Sequence, residues 1–110
     1  MITEEILKKS ENTMDKLTPT IIQEERTKVV LMLGYMNQKA LQKTEVTGWV
    51  YFWSRKRKRL WMKGESSGNK LKVINILRDC DKDSLLIQVH LVGKFVCHKG
   101  TRSCFSYPIK

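Results

Sequence analysis

The densest apolar run in this chain is Val29 to Leu33, and elsewhere β-branched and aromatic residues come in short bursts divided by charged segments. That pattern answers to short strands joined by polar turns, not to a membrane helix of about 20 apolar residues. Ile21 and Ile22 with Val29 to Met32 predict a hairpin across the turn QEERT. Val46 to Trp53 and Leu60 to Met62 predict a second one, with the basic run RKRKR at its tip. Lys70 to Arg78 and Ser84 to Val92 read as two further strands joined by DCDKD, and Phe95 to His98 as one more. Helices are expected to be short. One spans residues 3 to 16 on the surface and is ended by Pro19, and one over Gln38 to Lys43 is capped by Asn37, with extended structure resuming at Thr44 to Gly48. The expectation is therefore a mainly β fold with short helices, an α+β folded sheet or incomplete barrel, in one domain over residues 1–110.

The chain carries a formal net charge of +10 over 110 residues. A basic protein of this size attracts anions at long range. Nucleic acid, an acidic membrane surface and a small polyphosphorylated substrate all fit, and composition does not choose among them. The N-terminal MITEEILKKSENTMDKL has early acids and no apolar core of signal-peptide length, which points to the cytoplasm. An odd count of three cysteines there reads as thiols or metal ligands rather than a disulfide framework.

Those cysteines sit in polar company, in DCDKD and in CHKGTRSCF. Cys80, Cys97 and Cys104 are separated by 16 and then 6 residues, unlike the paired CxxC knuckles of a structural zinc ribbon. Three protein ligands with an open fourth position is the arrangement of catalytic zinc. His98 beside Cys97 would point to the opposite face of a strand, which suits a proton-transfer group better than a fourth ligand. Asp79, Asp81 and Asp83 recur at period two, so in extended backbone their carboxylates would share one face, with Cys80 on the other. Hard oxygens suit magnesium and the soft thiolate suits zinc. An EF-hand loop beginning at Asp79 fails, because Ser84 stands where glycine is required and His90 where the bidentate glutamate belongs.

Ser54 to Lys70 packs its cations around Trp61 and a Gly64 to Gly68 loop. Three readings compete for this segment. It is a solvated hairpin tip, a nucleic-acid patch with Trp53 or Trp61 stacking on bases, or a small-molecule site. In the last, Arg55, Arg57 and Lys63 clamp phosphates, and the backbone N–H groups of GESSG form an anion nest with the Ser66 and Ser67 hydroxyls. Trp53, Glu65 and Asn69 complete the candidate substrate contacts.

Taken together, VLMLGYMNQKAL (Val30 to Leu41), YFWSRKRKRLWMKGESSGN (Tyr51 to Asn69), DCDKD and CHKGTRSCF resemble, in order, the phosphoribosyl-AMP cyclohydrolase family of histidine biosynthesis. The resemblance runs from about Thr20 to Phe105 and leaves residues 1 to 17 outside. It implies a cytoplasmic homodimer on a mostly β folded sheet, with active sites at the subunit interface. Zn2+ would be held by Cys80, Cys97 and Cys104 drawn from both subunits, and Mg2+ by Asp79, Asp81 and Asp83. The implied reaction is hydrolytic opening of the adenine ring of N1-(5-phosphoribosyl)-AMP between N1 and C6, by water activated at the metal. Two substrate phosphates would account for the basic surface without nucleic acid or membrane. The family commonly has histidine where this chain has Asn69 and arginine where it has Met62. Asn69 cannot shuttle a proton near neutral pH, which leaves His98 as the proton carrier. The rival from another class is a small nucleic-acid-binding β module whose cysteines hold a structural metal.

Overall fold

A computed structural model describes residues 16–110. The helix expected over residues 3 to 16 therefore lies, Lys16 apart, outside the described residues. Strand β1 (Thr18–Glu24) turns through residues 25–27 into β2 (Val30–Met36), as the sequence predicts. The turn is closed by the N–H of Glu24 on the Val29 carbonyl at 2.8 Å and that of Lys28 on the Glu24 carbonyl at 2.8 Å.

Helix α1 (Gln38–Thr47) starts at Asn37, whose side-chain oxygen accepts the Ala40 N–H at 2.9 Å. Such a cap contributes about 1 kcal/mol. The helix runs four residues past the expected end, so the extended segment predicted at Thr44 to Gly48 is not there. β-branched residues favour strands only where packing agrees. Here the fully buried Thr44 hydroxyl donates to the Ala40 carbonyl at 2.8 Å and accepts the Tyr51 N–H at 2.9 Å, so it closes the helix and fixes the start of the next strand.

Strands β3 (Tyr51–Ser54) and β4 (Arg59–Met62) form a separate two-stranded sheet, with the basic run at its tip. Strands β5 (Lys70–Arg78) and β6 (Leu85–Val92) pair antiparallel across DCDKD. The larger sheet has the order β2-β1-β6-β5, and its centre is the parallel pair of β1 with β6. The residues before β3 bridge the two sheets. Val50 donates to the Leu71 carbonyl at 3.1 Å and Lys63 to the Val50 carbonyl at 3.0 Å, giving the folded, mainly β arrangement that was expected.

One face of the large sheet makes the core, where Ile22, Leu71, Ile87 and Val89 meet Leu31, Met36 and Phe52. Period-two alternation sends the intervening residues to the opposite face. There Leu33, Ile21, Leu86 and Leu77 stand side by side across all four strands. Three of them remain well exposed, at 41%, 37% and 49% for Leu33, Ile21 and Leu77. Beside that apolar row runs an amide ladder. Asn75 Nδ2 donates to Gln88 Oε1 at 3.0 Å, and Gln88 Nε2 donates to Gln23 Oε1 at 2.9 Å. Among the described residues, no helix is long and apolar enough to cross a membrane.

Candidate active site

β6 ends at Val92, and the chain then enters a loop rather than the strand expected at Phe95 to His98. Only two rungs link its arms, Val96 N–H to the Arg102 carbonyl at 3.0 Å and Cys97 N–H to the Thr101 carbonyl at 3.1 Å, before the turn at Gly100 closes it. The loop is fastened to β2 by the Cys104 N–H on the Leu31 carbonyl at 2.7 Å and the Ser103 hydroxyl on the Val30 carbonyl at 2.7 Å.

This folding brings Cys97 and Cys104 close enough for each thiol to shift the ionisation of the other. The Lys99 backbone N–H, more than any other group, holds the Cys97 thiol below its ordinary value; the Thr101 hydroxyl and the Cys104 thiol act in the same direction. Cys104 is pushed up by burial, and negative charge on Cys97 adds to the effect. One thiol is thus prepared to ionise ahead of the other.

A cleft of about 480 Å³ joins the loop to the basic segment. Of the residues expected to act together, Arg57, Lys63, Glu65, Ser66, Ser67, Asn69, Cys97 and His98 all line it. Gly64 forms the tight corner of the glycine loop at φ +89°, and a Cβ there would lie 2.3 Å from the Asn69 carbonyl oxygen. The anion nest is smaller than the sequence suggests. The Glu65 N–H is taken by the Met62 carbonyl, that of Gly68 by the Gly64 carbonyl, and that of Asn69 by Ser67 Oγ. Among the described residues, only Ser66 and Ser67 in the second half of the loop keep N–H groups without a partner in the chain.

Glu65 is an anchor for this loop. Its carboxylate accepts Arg59 Nη2 at 2.8 Å and the Met62 N–H at 2.8 Å, and these bonds hold it below the usual carboxylate range. Arg59 and Trp61 line the cleft too; Trp61 was expected only as a base-stacking ring, and Arg59 was not singled out. The signal was present. Arg57, Arg59, Trp61 and Lys63 recur at period two, and alternation along β4 places the middle pair on one face. Trp61 also stacks on the core, its ring 5.3 Å from that of Phe52.

Trp53 and Arg55 lie elsewhere. They line a second, more open cleft with Tyr35 and Lys56, and the Arg55 guanidinium sits 4.5 Å over the Tyr35 ring. The Trp53 indole N–H is buried there without an acceptor among the described residues. Trp61 borders both clefts.

Cys80 is not with the other thiols. It precedes β6 while Cys97 follows it, and the eight residues of that strand span roughly 25 Å. Nor is DCDKD extended. It forms the β5–β6 turn, with Lys82 at φ +62° and the Asp79 N–H on the Ser84 carbonyl at 3.0 Å. The turn removes the expected segregation of faces, and Asp79, Cys80 and Asp81 each offer a ligand atom within 4.8 Å of the others. The closeness of Asp79 and Asp83 lowers the first carboxyl and raises the second.

A small mainly β domain whose cleft gathers a thiol, a histidine and several cations has the make-up of an enzyme site for an anionic small molecule. The family profile described as phosphoribosyl-AMP cyclohydrolase matches residues 32–106, and the chain belongs to that family. It is 53% identical over 91 residues to the phosphoribosyl-AMP cyclohydrolase of Solibacter usitatus, covering 83% of this chain and 72% of that one. Against the protein of the same name from Pelotomaculum thermopropionicum it is 50% identical over 94 residues, 86% of this chain and 72% of the relative. The histidine biosynthesis bifunctional protein HisIE of Blochmanniella floridana is 61% identical over 89 residues. Those residues are 81% of this chain but only 41% of the bifunctional protein.

Proposed function

We propose that the chain hydrolyses the adenine ring of N1-(5-phosphoribosyl)-AMP between N1 and C6, in the cytoplasm, as a zinc-dependent homodimer of histidine biosynthesis. The observation that carries this reading is the cleft in which Cys97 and His98 face the Gly64 to Gly68 loop and its cations. Family membership supplies the substrate.

The donor chemistry fits the two metals. Cys97 and Cys104 are adjacent thiols, one of them already lowered, and with Cys80 they would hold zinc. Asp79, Asp81 and Asp83 would hold magnesium through hard oxygens. Bound zinc would supply Lewis-acid activation of a water. Cys80 would come from the second subunit, because its own chain carries it to the far end of β6. The apolar row Leu33, Ile21, Leu86 and Leu77 supports such a pairing, since a two-fold axis across β6 exchanges the ends of that strand.

His98 would carry the proton beside the reacting carbon. Asn69 would serve as a hydrogen-bonding partner only. Arg57, Lys63 and the free N–H groups of Ser66 and Ser67 would take one phosphate. Arg55 and Lys56, beyond Trp61, would take the other, with Trp53 alongside.

The test is purified protein incubated with phosphoribosyl-AMP, with and without a chelator, alongside metal analysis. The reading expects ring-opened product, loss of turnover on chelation and recovery with zinc. A fully metal-loaded protein that leaves the substrate intact would overturn it.

A further inference from the structure

Glu24 is a buried carboxylate with no part in the chemistry above. It lies at the end of β1, 6% exposed, and its Oε1 accepts the Thr27 hydroxyl at 2.7 Å. Its Oε2 accepts the guanidinium of Arg102, a residue 78 positions further on. A carboxylate removed from water needs such partners, and the Thr27 hydroxyl, then Arg102, hold it below its ordinary value against the effect of burial.

Arg102 stands between Cys97 and Cys104, on the returning arm of the loop. Its backbone carbonyl accepts the Val96 N–H, and its second guanidinium nitrogen reaches the Lys94 carbonyl at 3.5 Å. The loop otherwise rests on its two rungs, on the Cys104 and Ser103 bonds to β2 and on the Lys94 N–H to Asn69 Oδ1, and His98, Lys99 and Gly100 at its tip are exposed. Among the described residues, the one ion pair between the loop and the large sheet is that of Arg102 with Glu24.

We propose that Glu24, acting through Arg102, is a positioning residue for the Cys97–Cys104 thiol pair. The pair holds the returning arm of the loop against the large sheet and so sets how far apart the two sulfurs stand. Supporting residues of this kind are worth about ten- to a hundredfold in metal affinity or activity. The proposal rests on the cyclohydrolase reading only for its consequence in catalysis.

The experiment uses Glu24→Gln, which keeps the shape and the Thr27 bond, and Arg102→Lys, which keeps the charge. In the metal-free protein, amide hydrogen exchange of Val96, Cys97 and Cys104 is expected to quicken about tenfold or more in Glu24→Gln, with β5 and β6 amides unchanged and Arg102→Lys intermediate. Zinc affinity, read by competition with a chromophoric chelator, falls about ten- to a hundredfold, and kcat falls with little change in KM. Unchanged exchange at the three loop amides, or equal acceleration throughout the sheet, would overturn the proposal. The exchange measurement needs neither zinc nor substrate, so it decides the clamp even where the cyclohydrolase assay fails.

Discussion

The backbone N–H of Lys94 donates to Oδ1 of Asn69 at 3.2 Å, so the glycine loop and the thiol loop are tied at the point where each enters the cleft. The Asn69 side chain here acts as a fastener. Asn69→Ala is expected to lower kcat/KM by roughly ten- to a hundredfold through misplacement of His98 and Cys97. Asn69→Asp keeps the acceptor and should retain most of the activity that the alanine variant loses. Gly93→Ala should break the same joint, because a Cβ there would sit 2.1 Å from Asn69 Oδ1 at φ +130°. Steady-state kinetics of the three variants, with circular dichroism for folding, check this. Alanine at 69 with wild-type kcat/KM would refute the tie.

Local chemistry made much of this arrangement legible, and long-range pairing hid the rest. The three hairpins follow from alternation and turn residues, and each was visible in its own segment. The parallel contact of β1 with β6 was not, because it joins residues such as Gln23 and Gln88, 65 positions apart, and is decided by which faces the whole chain can bury. Thr44 reads as strand by propensity and is helical because its hydroxyl has two buried partners. Cys97, His98 and Asn69 announce themselves by residue type. Glu24 does not, since it resembles any acid in a charged turn until Arg102 is folded against it.

The Glu24–Arg102 contact gives stability a definite pH dependence. The folded-state pKa of Glu24 lies below its unfolded value of about 4.3, so the stabilisation is fully present above that value. It is lost as pH falls through the lower, folded pKa. Because Arg102 is half in solvent, with 50% of its side chain exposed, a contribution of about 1–2 kcal/mol is expected, less than for a fully buried pair. Urea midpoints between pH 3 and 7 should show wild type ahead of Glu24→Gln by a constant margin above about pH 5, narrowing below it. A margin that widens toward acid would contradict the sign.

Leu77 is 49% exposed on the open sheet face, in line with Leu86, Ile21 and Leu33. An apolar row of this length on an open sheet suits the interface of the proposed homodimer. If the proposed homodimer forms through this face, the wild type should sediment as a dimer at micromolar concentration and Leu77→Glu as a monomer, with far-ultraviolet dichroism unchanged. Specific activity should fall in step with dissociation, because each site would lose its second-chain thiol. A variant that remains dimeric, or a monomer with full activity, would count against this face as the interface.

The separation of Cys80 from Cys97 and Cys104 along β6 allows a sharper test of a shared site. Cys80→Ser and Cys97→Ser homodimers should each be inactive and unable to retain zinc. Refolded together in equal amounts, half the dimers would be mixed, and in each of these one site would have all three cysteines intact while the other lacked two. The mixture is therefore expected to recover about one quarter of wild-type activity and zinc content, by the statistics of two-fold assembly. Co-refolding Cys97→Ser with Cys104→Ser should recover nothing, because those two thiols come from the same chain. If every site were built within a single chain, neither mixture would regain activity, so the contrast between the two mixtures reads out directly which thiols belong to which subunit.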